Sequence, residues 1–283
     1  MASLPADSPP LSAKSGRVRA ARRLARRVYR GEQRRFLAEG PQAVREALAL
    51  PGCVSEVFAL PATAERHREL RGAAAAQGVP WHLVDGSALD ALTETVHPQG
   101  VVAVCHFLDR PLADVLDAAD RAEVPQRLVA VCADVRDPGN AGTVIRCADA
   151  AGASSVVLAG SSVDPYNGKA VRASVGSLFH VGLAVEPDPA GTLEELRRRG
   201  YLVLAADGAG ETDLDDALDE GLLGRPTAWL FGNEAWGLPA ELAGLADHRV
   251  RIPIHGRAES LNLATAAAVC LYASARAQRR GTA

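Results

Sequence analysis

Short apolar runs alternate with helical patterns along most of the chain. In the back half the runs recur at 128–133, 155–159, 179–185, 201–206, 227–231 and 250–254, with 3.6-period segments between most of them. That alternation predicts a parallel sheet wrapped by helices. The last periodic segment, 263–279, sets Leu263, Ala266, Ala267, Cys270 and Leu271 on one face and predicts a helix packed against that sheet.

The front half repeats the alternation on a smaller scale. A helix carrying Val44, Ala47 and Leu48 precedes a strand at 54–60, a helix at 63–76, a strand at 79–84, a short helix at 87–94 and a strand at 100–107. Residues 108–126 are polar and acidic between Pro111 and Pro125 and read as a helical linker or a domain boundary. Residues 1–13 hold three prolines and small polar side chains, which reads as a disordered leader. From Arg19 basic residues follow at Arg22, Arg23, Arg26, Arg27 and Arg30, spacings that gather them on one side of a helix with Leu24 and Val28 on the other. The division expected is a leader over 1–18, a front domain over 19–107, a linker over 108–126 and a back domain over 127–283.

With 283 residues the chain is long enough for two cores. Its 48% apolar and 23% charged residues exclude wholesale disorder and fibrous repeats. The longest apolar stretches, such as 266–273, fall short of the ~18 to 20 residues that cross a bilayer, so no membrane association is expected. The net charge of −3 argues against a nucleic-acid partner only as an average. Ten basic residues and one acid lie between Lys14 and Arg35, leaving 21 basic against 33 acidic residues, a net −12, elsewhere. A basic arm on an acidic body points to a polyanion. The arm runs straight into folded sequence, which favours RNA contact over an organellar transit peptide, and no apolar segment follows it as a signal peptide requires. Aromatic residues make up only 4%, so any platform for stacking bases is thin.

Five cysteines, all well separated and without a C-x-x-C pair, write neither a zinc ribbon nor a redox dithiol. Cys132, Cys147 and Cys270 sit in apolar runs and read as small core residues, and the odd count suits a reducing cytoplasm. The seven histidines form no ligand spacing such as H-E-x-x-H, so no metal is expected.

In sheets of this class ligands bind beyond the carboxyl ends of the strands. Three clusters stand there. The first, Asp134-Val-Arg-Asp-Pro-Gly-Asn-Ala-Gly-Thr-Val-Ile-Arg146, sets glycines around Asn140 at a strand-to-helix turn. The second, Leu230-Phe-Gly-Asn-Glu-Ala-Trp-Gly-Leu-Pro239, is a glycine loop carrying Glu234. The third, Ile252-Pro-Ile-His-Gly-Arg-Ala-Glu-Ser-Leu-Asn-Leu263, brings Ser260 and Asn262 to the entrance of the last helix. Each alone is an ordinary turn, and Ser260 alone is an ordinary N-cap. Three such loops leaving one side of one sheet describe a small-molecule site. None carries the G-x-G-x-x-G or P-loop pattern of a dinucleotide or triphosphate site.

At these residues the sequence resembles the TrmH (SpoU) branch of the SPOUT RNA methyltransferases. Its three motifs stand in order as Asn140-Ala-Gly142-Thr-Val-Ile-Arg146, Gly232-Asn-Glu234-Ala-Trp-Gly237 and Ile252-Pro-Ile-His-Gly256-Arg-Ala-Glu-Ser260-Leu-Asn262. Phe36-Leu-Ala-Glu-Gly40 and His97-Pro-Gln-Gly-Val-Val-Ala-Val104 resemble the opening and closing segments of the L30e-like substrate-binding domain often joined to it, and Leu24–Arg30 resembles its lead-in.

The resemblance implies an α/β fold: a C-terminal SPOUT domain with a parallel sheet and a trefoil knot, preceded by a small L30e-like domain. It implies S-adenosylmethionine as cofactor, held by Gly232, Gly237, Ile252, Gly256, Leu261 and Asn262. It implies a homodimer that methylates a ribose 2′-hydroxyl, with rRNA favoured over tRNA by the two-domain layout. The catalytic residues it implies are Arg146, Asn140, Glu234 and Ser260. Because a guanidinium stays protonated, Arg146 is expected to clamp the target phosphate and nascent alkoxide rather than to act as the base, with Asn140 holding it and Glu234 as its ion partner. Arg22, Arg23, Arg26, Arg27 and Arg30 are the expected RNA contacts. The competing reading is a non-catalytic L30e-type RNA-binding protein, which would leave the three back-half loops idle.

Overall fold

A computed structural model describes residues 9–121 and 127–281. The described residues divide into two units, one reaching Leu108 and including Tyr166–Phe179, the other formed by Asp109–Pro165 and the residues from His180 onward.

The first unit is built on a four-stranded mixed sheet of order β1-β4-β2-β3, with β1 at Arg35–Glu39, β2 at Val54–Ala59, β3 at Trp81–Leu83 and β4 at Val101–His106. β4 runs antiparallel to both β1 and β2, and β3 lies parallel to β2. The periodicity did not reveal β1, because a five-residue strand that opens on the charged Arg35 and ends on Glu39 before Gly40 shows too little alternation. Val18, Ala21, Leu24, Phe58, Leu89, Val102 and Val104 share its core. The helix expected over 63–76 is two, Pro61–Arg66 and Arg68–Ala76, separated at His67 where ψ reaches 54°.

Three sequence expectations change in this unit. Order begins before Arg19: Leu11 bridges to Val84, and its amide donates to the Leu83 carbonyl at 2.9 Å, because an apolar side chain here adds to the core. The disordered leader expected over 1–18 therefore falls short of its limit, and residues 1–8 lie outside the described residues. The basic helix is two helices, Gly16–Arg22 and Arg27–Gln33, joined through a short 3-10 turn and broken at the extended Arg26, with ψ 131°. Leu24 is buried as expected, but Val28 is 67% exposed. Finally, Tyr166–Phe179, counted with the back half by sequence order, packs here: the Tyr166 ring stacks 3.9 Å from Phe107 and its hydroxyl accepts from the Leu108 amide.

The second unit holds a seven-stranded, wholly parallel sheet of order β7-β6-β5-β10-β8-β11-β9. Its strands are β5 (Leu128–Ala133), β6 (Ser155–Ala159), β7 (Gly182–Glu186), β8 (Leu202–Ala206), β9 (Thr212–Asp213), β10 (Thr227–Phe231) and β11 (His248–Arg251). β5 and β10 are buried along their whole length, the mark of central strands covered on both faces. Leu112, Leu116, Leu193 and Leu196 cover one face, so the stretch read as a linker contributes a helix, Leu112–Asp120, to this core. The helices Pro138–Ala151 and Leu263–Gly281 pack together and against the sheet. The Trp229 indole on β10 donates to Ser274 Oγ at 2.9 Å, and Ala267, Cys270 and Leu271 are fully buried, as the spacing predicts. Among the described residues no helix is long and apolar enough to cross a membrane.

Candidate active site

The site occupies the carboxyl ends of β5, β8, β10 and β11. Beyond β10 the chain turns sharply, and the Asn233 and Gly237 backbones exchange two hydrogen bonds of 2.9 Å each. Gly232 must be glycine for this turn to close, since a Cβ there would lie 2.4 Å from the Gly237 carbonyl carbon. Gly237 closes the turn at φ +68°, in the left-handed region that favours glycine. The Asn233 side chain anchors the loop, donating to the Asp134 carbonyl at 2.7 Å and accepting from the Ala235 amide at 2.8 Å.

This turn delivers Glu234 to the start of the helix Pro138–Ala151. Its carboxylate accepts from the Arg136 amide at 3.1 Å, the Asp137 amide at 3.0 Å and Asn140 Nδ2 at 3.1 Å. Partial desolvation alone would raise its pKa, but these N–H donors outweigh it and hold the carboxyl below its ordinary range. Asp137 caps the helix by accepting from the Asn140 amide at 2.8 Å. Asn140 Oδ1 in turn accepts from Asn262 Nδ2 at 3.1 Å. One side-chain amide therefore joins all three sequence clusters.

Between these loops lies a cavity of about 300 Å³. Phe231, Val250, Ile252, Leu261, Leu263 and Ala266 give it apolar walls, and Asp207, Glu234 and Glu259 line it with carboxylates. Among the described residues no lysine or arginine lines it. A wall of that sign suits a cationic ligand and repels a nucleotide phosphate. The open face of Gly237, where a Cβ would meet nothing within 4 Å, leaves room for a ligand against the backbone. The cavity reaches the size of a small-molecule site. Its apolar slot fits an adenine, and its acids fit the sulfonium and ammonium of S-adenosylmethionine.

Of the residues read from sequence, Gly232, Gly237, Ile252, Leu261, Glu234 and Ser260 line the cavity, whereas Gly256 and Asn262 do not. Asn262, rather than Ser260, caps the last helix, accepting from the Ala264 amide at 2.9 Å. The expected ion pair between Glu234 and Arg146 is absent; the Glu234 carboxylate instead accepts from three N–H donors at the start of the helix. Asn140 likewise bonds Glu234 and Asn262 instead of holding Arg146. Arg146 is exposed on its helix and makes no ion pair among the described residues. Asp207, Gly208 and Glu259 escaped the sequence reading. Their signal was present for the first two, a carboxylate and a glycine immediately following the apolar run 201–206.

Cys132, beneath the site, is pushed up to about 12 by burial and, to a lesser extent, by Glu234, and burial also raises Cys270, so both stay thiols. Among the described residues no three His, Cys, Asp or Glu side chains are grouped to hold a metal.

In the first unit the break at Arg26 wraps basic side chains around a second cavity of about 570 Å³, lined by Arg19, Arg22, Arg23, Arg26 and Tyr29 with Asp90 and Thr93. The Arg23 guanidinium lies 5.7 Å from the centre of the Tyr29 ring. Arg22, Arg23, Arg26 and Arg27 are exposed. Arg30 is not: it is 3% exposed, and its Nη1 donates to the Leu24 and Ala25 carbonyls at 2.9 and 2.8 Å. It ties the turn together instead of facing a ligand.

Comparison with known proteins agrees with this geometry. The model of the SpoU rRNA methylase family matches residues 127–272, and that of the RNA 2′-O ribose methyltransferase substrate-binding domain matches residues 37–111. The chain is 33% identical to the 23S rRNA (guanosine(2553)-2′-O)-methyltransferase RlmP of Bacillus subtilis, over 92% of this chain and 96% of that one. An AdoMet-bound rRNA methyltransferase from Sinorhizobium meliloti superposes with a TM-score of 0.79 at 31% identity, covering 95% of this chain and 97% of that one. The SpoU methyltransferase AviRb from Streptomyces viridochromogenes, in complex with AdoMet, gives 0.79 at 29% identity, covering 95% and 100%. With its methylase model spanning more than half of the chain, its substrate-binding model preceding it and a relative matched almost end to end, this protein belongs to the SpoU rRNA methylase family.

Proposed function

We propose that this protein transfers a methyl group from S-adenosylmethionine to a ribose 2′-hydroxyl of rRNA. The observation that carries the reading is the acid-lined cavity, free of basic side chains among the described residues, where three loops meet through one asparagine amide. S-adenosylmethionine supplies the electrophilic methyl group when bound. Gly232, Gly237, Ile252 and Leu261 would hold its adenosyl portion against backbone, with Ser260 at the rim and Glu234 fixing the loop. A non-catalytic RNA-binding module would have no use for such a cavity. The relatives named above favour rRNA over tRNA as the substrate.

Arg146, exposed six residues beyond Asn140, is free to reach substrate. A ribose hydroxyl is a weak nucleophile until its developing negative charge is stabilised. The arginine fork meets a phosphate and that oxygen in two directions at once, which a lysine cannot do. Asn140 and Glu234 act by holding the loops in register, so they are positioning residues.

The exposed arginines of the first unit, Arg22, Arg23, Arg26 and Arg27, supply phosphate contacts, and the second unit supplies the chemistry. The protein works as a homodimer in the cytoplasm, and its back domain carries the trefoil knot of the family. The knot rests on membership of the family, and the strand order, with β10 between β5 and β8 and β11 beyond β8, is compatible with it. Arg146→Lys tests the reading. It should lose most methyl transfer to rRNA while keeping the affinity for S-adenosylhomocysteine, and near-full activity would contradict the bidentate role.

A further inference from the structure

The chain has three tryptophans. Trp229 is buried with its indole N–H bonded to Ser274, and Trp81 is partly buried. Trp236 is different. It is 60% exposed and makes no hydrogen bond or ring contact among the described residues. It sits in the turn whose Asn233, Glu234 and Gly237 line the cavity. The two backbone bonds between Asn233 and Gly237, the Asn233 anchor on Asp134 and the three N–H donors on Glu234 hold that turn rigid.

A large flat side chain kept in water on a fixed turn, with its Cα no more than about 7 Å from that of Glu234, is placed to meet whatever lies at the cavity mouth. Resting on the methyltransferase reading above, we propose that Trp236 contacts substrate: its indole stacks on a base of the RNA next to the ribose that receives the methyl group. Every base offers a π-face, and unpaired bases of RNA are commonly held on aromatic rings. Tryptophan gives a broad surface at little conformational cost. The surroundings favour a base over a second copy of this chain. Glu234, Ala235 and Gly237 beside it are exposed and include a carboxylate, whereas the centre of a subunit interface is depleted of charge. Stacking would also add an interaction insensitive to salt, beside phosphate contacts that salt weakens.

The test compares the wild-type protein with Trp236→Ala and Trp236→Phe, using deproteinised 23S rRNA. Trp236→Ala should raise the KM for RNA about tenfold or more, with kcat little changed and S-adenosylhomocysteine affinity intact. Trp236→Phe should recover most of the loss. RNA should quench a part of the wild-type indole fluorescence that is missing from Trp236→Phe, a reading independent of turnover. Unchanged KM in Trp236→Ala, or equal quenching in wild type and Trp236→Phe, would overturn the proposal. So would a change in particle mass by light scattering for Trp236→Ala, which would make the indole a subunit contact. Quenching by RNA in a wild-type protein that transfers no methyl group would instead sustain the stacking and overturn the reaction assigned above.

Discussion

Asn262 donates its side-chain amide to Asn140 across 3.1 Å, joining residues 122 positions apart. Asn140 passes the connection on to Glu234, so the loops after β5, β10 and β11 form a single hydrogen-bonded unit. Replacing Asn140 with alanine cuts the tie to the Asn262 loop and one of the bonds to Glu234, while leaving the Arg136 and Asp137 amides on Glu234 and the Asp137 cap, which bonds only the backbone. Loops free to shift by about 1 Å lose on the order of a hundredfold in rate. Methyl-transfer kinetics for Asn140→Ala should show a fall of that order with a melting temperature close to wild type, and an unchanged rate would mean that the loops hold their register without the amide.

Gly232 affects fold and ligand together. Even alanine places a Cβ 2.4 Å from the Gly237 carbonyl carbon, and the obstructing atoms are backbone that cannot rotate away. Gly232→Ala should destabilise the second unit by about 1–3 kcal/mol. It should also weaken S-adenosylhomocysteine in calorimetry, since the displaced turn is a wall of the cavity. Full affinity would show that the cofactor rests elsewhere.

Two arginines four residues apart should separate cleanly. Arg30 is buried on two carbonyls, so Arg30→Ala should cost about 1–3 kcal/mol of stability in denaturant unfolding. Arg26 is exposed at the helix break, so Arg26→Ala should leave stability alone. It should weaken RNA and flatten the log–log salt slope by about 0.7. If Arg30→Ala instead changed the salt slope at constant stability, their roles would be reversed.

Glu234 sets a pH limit on the site. Its folded pKa lies below the ordinary 4.5, so the order it contributes is fully present above that value and is lost as pH falls through the depressed one. S-adenosylhomocysteine affinity should stay flat from about pH 7 to about pH 5 and decline only below the ordinary carboxylate range. A decline centred near pH 6 would assign the site's order to another group.

Much of this was legible in the sequence. The six apolar runs of the back half correspond to β5, β6, β7, β8, β10 and β11, because parallel strands buried on both faces read as continuous apolar stretches. Their edges were less clear: the run expected at 179–185 begins with the 3-10 turn Ser177–Phe179 before β7, and that expected at 250–254 slides back to His248–Arg251. Three loops carried recognisable residues, yet pairing them as Arg146 with Glu234 assumed that opposite charges would meet. Backbone amides, which no residue letter encodes, took the carboxylate first. The break at Arg26 was hidden for a similar reason. A regular 3-4 spacing of arginines describes a helix face, while the buried bonds from Arg30 to Leu24 and Ala25 fold that face around a cavity.

The central claim is methyl transfer to a ribose hydroxyl, and the most direct measurement is mass mapping of 23S rRNA after incubation with the protein and S-adenosylmethionine. One nucleotide should gain a methyl group on its ribose, leaving the following phosphodiester resistant to alkali, and Arg146→Ala should abolish the product without abolishing S-adenosylhomocysteine binding. A methyl group found on a base, or none transferred by a protein that binds S-adenosylhomocysteine and RNA, would contradict it.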